Sequence, residues 1–187
     1  MDFTSLSDET LFLLIIRAQP EALDELYNRY HRMVFGLALG MVGDRATAEE
    51  ITLDVFVRVW EKAGTYRADK AKISTWIMTI TRYHAIDILR RKGARPEHQS
   101  LHLIDNLIQN RSDDHSPERM AELAIQRDKI RTALAHLPEE QKQVLGLAYF
   151  AGYTHRQISE KLNQPLGTVK TRIRLALQKL RHLLQDE

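Results

Sequence analysis

The 187-residue chain contains no cysteine. That excludes a disulfide-braced scaffold and any thiolate metal site, and it fits a reducing compartment such as the cytoplasm. No apolar run approaches the roughly 20 residues of a membrane span, so no membrane insertion is expected. The run Leu11–Ile16 is too short and follows acidic residues, so it is not a secretory signal either. A strong charge imbalance is also missing. Lys and Arg number 27 against 25 Asp and Glu, which leaves a net charge of +2 and rules out a polycation. Strand alternation, internal repeats and long low-complexity tracts are absent. The glycines of Gly36–Gly43 follow no strand and precede no Lys-Ser/Thr pair, so they form no phosphate loop. No nucleophile–base constellation is legible, so the chain is not expected to be an enzyme or to carry a cofactor.

What is present is helical punctuation around a large apolar fraction, 43% of the residues. Ser7 is placed to cap a helix over Asp8–Ala18. Pro20 suits a first helical position, and Leu23, Leu26, Tyr30, Val34, Leu37 and Met41 form one stripe behind it. Asp44 or Thr47 starts the next helix, which runs to about Ala63. Gly64–Lys72 reads as a loop, and Ser74 is placed to cap a fourth helix ending at Gly93. The pattern then stops, and residues 94–116 read as a linker. Ser116–Pro117 opens a helix to about His136, Pro138 opens another to Phe150, and Gly152 ends it. Thr154 and Gln157 form a capping box for a short helix to Leu162. Asn163–Pro165 make a turn before a long basic helix. The fold class is all-α: two small helical domains, residues 1–93 and 117–187, joined by a flexible linker.

A short capped helix, a tight turn and a basic helix have helix-turn-helix spacing. In the basic helix, Leu166, Val169, Ile173, Leu177, Leu180 and Leu184 form the expected inward stripe. Thr168, Thr171, Leu175, Gln178 and His182 lie opposite. Lys170, Arg174 and Arg181 flank them on one side, Arg172 and Lys179 on the other. Cationic rails beside a hydrogen-bonding ridge suit duplex DNA, with rails for phosphates and ridge for base edges.

A second basic cluster lies between Thr65 and Arg95, where eight Lys and Arg residues face Asp69 and Asp87 only. Trp76 and Tyr83 are interleaved with Lys72, Arg82, Arg90 and Arg91, a pattern suited to single-stranded nucleic acid. Trp76, with Ile77, Ile80, Ile86 and Leu89, has a competing reading as core. The helix after Asp44 carries two apolar stripes. Ala48, Ile51, Val55 and Val59 form one; Leu53, Val57 and Trp60, edged by Glu49, Glu50 and Asp54, form the other. One stripe can serve a core and the other a partner. His98 and His102 are four apart but have no carboxylate at ligand spacing, so no metal is expected.

The blocks "AEEITLDVFVRVWEKAGTYRADKAKISTWIMTITRYHAIDILRRKG" and "LPEEQKQVLGLAYFAGYTHRQISEKLNQPLGTVKTRIRLALQKLR" resemble the two conserved domains of extracytoplasmic-function sigma factors. The resemblance covers roughly 22–93 and 116–184, in the family's order. It implies a cytoplasmic factor that joins core RNA polymerase, directs it to promoter DNA and is held inactive by an anti-sigma factor. It places Thr168, Lys170, Thr171, Arg172 and Arg174 at the minus-thirty-five element, and the ridge and rails of the helix add Gln178 and Lys179 to the expected DNA contacts. It places the loop Gly64–Ser74, the start of the fourth helix and Tyr83 at the minus-ten element and its melting; together with the basic-aromatic pattern the expected contacts are Lys72, Thr75, Trp76, Arg82, Tyr83, Arg90 and Arg91. It places Glu49, Glu50, Leu53, Asp54 and Val57 on the polymerase clamp. Leu53, Tyr83 and Leu175 depart from the family's usual Gln, Asn and Arg. A helix-turn-helix regulator of another type, or an interaction protein that has lost DNA binding, are the alternative readings.

Overall fold

A computed structural model of the chain describes residues 2–92 and 128–185. These fall into two units, one within residues 1–93 and one within 94–187. The linker residues 94–116, the helix start at Ser116–Pro117, and His98 and His102 lie outside the described residues.

The first unit is built from four helices. Helix α1 (Asp8–Ile16) starts at Ser7, whose hydroxyl accepts from the Thr10 amide. Asp8 and Glu9 sit in its first turn, where the helix dipole favours negative charge. Its buried Leu11, Phe12 and Ile15 recur at helical spacing. Helix α2 (Pro20–Val42) has proline in its first turn and ends at Gly43, whose φ of 72° is a left-handed cap. Asp44 rather than Thr47 caps α3 (Arg45–Lys62): its carboxylate accepts from both the amide and the hydroxyl of Thr47, at 2.9 and 2.5 Å. A single 3-10 turn, Ala63–Thr65, follows.

Helix α4 (Ile73–Arg91) corrects the expected cap. Its N-cap is Lys72, without a side-chain hydrogen bond, and Ser74 already lies in the first turn. The cause is Ile73, which is buried one turn before Ile77 and draws the helix start forward into the core. Helices α2, α3 and α4 pack on one another, and α1 packs on α2 and the 3-10 turn.

The described part of the second unit begins with helix α5 (residues 128–135). Helix α6 (Glu139–Tyr149), α7 (His155–Leu162) and α8 (Leu166–Gln185) follow. Gly152 at φ 68° turns the chain between α6 and α7. The capping box of α7 is complete: Thr154 Oγ1 accepts from the Gln157 amide, and Gln157 Oε1 accepts from the Thr154 amide. Asn163 takes the left-handed conformation that ends α7 and admits a tight turn. Val144, Leu147, Ile158, Val169 and Ile173 form one core cluster; Leu137, Leu145 and Ala176 form a second.

The inward stripe of α8 differs from the hydropathy pattern. Val169, Ile173 and Ala176 are buried and Leu180 is partly so, while Leu166, Leu177 and Leu184 are exposed. The inward face is turned by about 30° relative to the leucine stripe, at 100° per residue. Ala176 is the reason. Its small side chain packs with Leu137 and Leu145, a contact that hydropathy alone does not weigh.

Candidate nucleic-acid interface

Burial of Val169, Ile173 and Ala176 fixes what α8 presents outward. Lys170, Thr171, Arg174, Leu175 and Gln178 are all exposed and share the face opposite the core. This is a hydrogen-bonding ridge with two cations, as wide as one helix face. The flank differs. Thr168 and Arg172 are partly buried, and Arg172 Nη1 donates to Gln164 Oε1 at 2.5 Å. That bond ties the helix to the turn before it. Lys179 is exposed, but its ammonium donates to the His136 carbonyl at 2.6 Å. Lys179 therefore braces the chain just after α5, and its charge is aimed away from the Lys170–Arg174 ridge.

In the first unit, Lys72, Trp76, Thr79, Tyr83, Asp87 and Arg90 recur on one face of α4. Tyr83 is 57% exposed, and the Arg82 guanidinium lies 5.1 Å from its ring centroid. A cation already stacked on one face of a ring leaves an aromatic platform with a positive edge. Thr75, Arg90 and Arg91 are exposed, and the Thr75 carbonyl accepts from the Thr79 hydroxyl. Trp76 is different. It is partly buried, with its ring 5.4 Å from Phe12 and 5.8 Å from Tyr66. The loop before α4 is closed by Tyr66, whose hydroxyl donates to the Ala71 carbonyl at 2.8 Å.

The two stripes of α3 separate cleanly. Ala48, Ile51, Val55 and Val59 are fully buried, whereas Leu53 is 61% and Val57 55% exposed. Glu49 and Glu50 are exposed beside them, and Glu49 pairs with Arg45 at 2.9 Å. Asp54 is half exposed, and its Oδ2 lies 2.9 Å from Nε2 of His84, a residue only 4% exposed. A carboxylate can only accept here, which assigns the proton to Nε2.

Several groups escaped the reading of the sequence. The Arg29–Asp8 pair spans 21 residues, the His84–Asp54 contact 30, and the bond from Lys92 Nζ to Thr47 Oγ1 spans 45. Each joins different helices, so no local spacing announces it. Among the described residues no cluster of three His, Asp or Glu side chains is arranged to hold a metal ion, and no helix is long and apolar enough to cross a membrane.

The chain is similar to known proteins over both units. Residues 26–95 match the family model described as Sigma-70 region 2, and residues 127–180 match Sigma-70, region 4. The chain is 34% identical to the ECF RNA polymerase sigma factor RpoE of Cereibacter sphaeroides, over 95% of this chain and 97% of that protein. It is 30% identical to the ECF RNA polymerase sigma factor SigK of Mycobacterium ulcerans, over 95% of each. Among solved structures, Rhodobacter sphaeroides SigE in complex with the anti-sigma ChrR is 29% identical. That match covers 94% of this chain and 99% of that one, with a TM-score of 0.42.

Proposed function

The chain belongs to the extracytoplasmic-function RNA polymerase sigma factors, and from that premise we propose how its surfaces divide the work of starting transcription. It joins core RNA polymerase and directs it to promoters. It acts in the cytoplasm, forms and breaks no covalent bond itself, and is held inactive by an anti-sigma factor until needed. Residues 1–93 handle the minus-ten element and the polymerase clamp, residues 117–187 read the minus-thirty-five element, and 94–116 link them.

The observation that carries this reading is the outward face of α8. With its core side fixed by Val169, Ile173 and Ala176, the helix offers Thr171, Leu175 and Gln178 as a ridge flanked on one side by Lys170 and Arg174. A helix of this kind fits the major groove, where side-chain donors and acceptors meet base edges and cations meet phosphates. Leu175 suits a thymine methyl rather than a polar base edge. Arg172, held by Gln164, orients the turn and contributes to binding through that geometry.

Opening the duplex falls to α4. Tyr83 is exposed and edged by Arg82, so an unpaired base can stack on it, an interaction worth about 1–3 kcal/mol. Polymerase binding falls to the Leu53–Val57 face, whose exposed apolar residues edged by Glu49 and Glu50 have no structural task within the unit.

Copurification with core polymerase followed by run-off transcription tests the proposal. The wild-type chain should yield promoter-dependent transcripts. Val57→Glu should lower core binding by about 2 kcal/mol, a hot-spot magnitude, and leave the melting temperature of the protein unchanged, because Val57 lies outside the core. An unfolded Val57→Glu variant, or undiminished core binding, would place the clamp contact elsewhere.

A further inference from the structure

Helix α1 precedes the residues matched by the region 2 family model, which begin at 26. Nothing in that match gives α1 a task. Its contacts do. Phe12, only 2% exposed, places its ring 4.8 Å from Tyr66 and 5.4 Å from Trp76. The Tyr66 and Trp76 rings are 5.8 Å apart, which closes a three-ring cluster of tilted and edge-on pairs. Each ring comes from a different segment: α1, the loop before α4, and the first turn of α4.

The loop has few other means of holding its shape. Arg67, Asp69 and Lys70 are exposed; a turn bond joins the Lys70 amide to the Arg67 carbonyl, and Arg67 pairs with Asp69 at 3.2 Å in an exposed ion pair that contributes little. Tyr66 draws the ends together through its hydroxyl on the Ala71 carbonyl, and Phe12 is the wall behind that ring. The wall is itself anchored, since Arg29 of α2 grips Asp8 of α1 at 2.8 Å.

We propose that Phe12 is a positioning residue for promoter recognition: with Tyr66 and Trp76 it forms an aromatic latch by which α1 sets the shape of loop 66–72 for the minus-ten strand. Trp76 then acts as part of the latch, and Tyr83, farther along the same face, is the ring left for a base. The inference rests on the sigma-factor reading above and adds a specificity role for a helix outside the conserved block.

The test uses the full chain with core polymerase and a duplex library randomised across both promoter elements, with open complexes recovered and sequenced. Phe12→Leu keeps the apolar volume but removes one ring from two aromatic pairs. Its enrichment of preferred minus-ten bases should fall about tenfold. Enrichment at minus-thirty-five and affinity for core polymerase should stay within about twofold of wild type, as expected for distant sites. Hydrogen exchange of the free protein should quicken across 66–72 and remain unchanged across α3. Tyr66→Phe, which keeps the ring but loses the bond to Ala71, should show a smaller change in the same direction. An unaltered minus-ten preference in Phe12→Leu overturns the latch, even if exchange quickens. Equal losses at both elements overturn it too, because they signal general destabilisation. A wild-type chain that enriches neither element brings down the function itself, an outcome visible before any variant is made.

Discussion

Arg29 reaches four acceptors from one guanidinium: Glu25, Asp8 and the carbonyls of Phe3 and Thr4. Its neighbour Tyr30 donates its hydroxyl to the other oxygen of the same Asp8. The two residues thereby fix the first segment of the chain on α2. Burial, then the hydrogen bond to Asp8 and the charge behind it, push the Tyr30 phenol well above its ordinary value of 10.0. The folded chain keeps a proton that the unfolded chain releases near pH 10, so this contribution is full below about pH 10 and is lost as pH rises. The slope is at most about 1.4 kcal/mol per pH unit, and smaller here because the ring is only partly buried. Tyr30→Phe should flatten the alkaline fall in melting temperature followed by circular dichroism. An identical fall in both proteins would contradict this account. None of this was legible in the sequence, where Tyr30 reads as one member of an apolar stripe. Its partner is 22 residues away on another helix. Ser7, Pro20 and the Thr154–Gln157 box were legible because their signals lie within one turn.

Helix α8 shows how a pattern can be read correctly in kind and incorrectly in phase. Leucines dominate hydropathy, so the inward face was placed on Leu177 and Leu184, whereas close packing selects Ala176. The cations of α8 also differ in what they touch. Arg174 stays outward, while Lys179 turns to the His136 carbonyl. Salt dependence of binding to a random-sequence duplex separates them. Arg174→Ala should reduce the slope of log affinity against log salt by about 0.9, one phosphate contact. Lys179→Ala should leave that slope unchanged and lower the stability of the second unit by about 0.5 kcal/mol, as for an exposed charge near a helix C-terminus. Equal loss of slope in both variants would put Lys179 on the DNA face. The buried Ala48–Val59 stripe of α3 and its exposed Leu53 and Val57 were legible, because two apolar stripes on one helix can be told apart by spacing alone; Trp60, placed on the outer stripe, is partly buried. The bond between Asp54 and His84 was not legible, because it depends on His84 arriving from α4.

At the scale of the whole molecule, each unit has its own buried cluster and its own caps. Fragments 1–93 and 117–187 should each be helical by circular dichroism and melt cooperatively without the other; a fragment that stays unfolded would tie the units into one. The bond from Lys92 to Thr47 joins the last turn after α4 to the first turn of α3. It makes folding of the first unit an event with a place in time. The closing contact exists only once residue 92 has been made, and everything that unit needs has by then been synthesised. The remaining residues take at least about 5 s at ordinary ribosome speeds, whereas helical units of this kind fold in milliseconds or less. For part of that time, once residue 92 has left the ribosome, the nascent chain presents the Leu53–Val57 face before α8 is complete. Whatever partner the Leu53–Val57 face takes can meet it on the growing chain before α8 is complete.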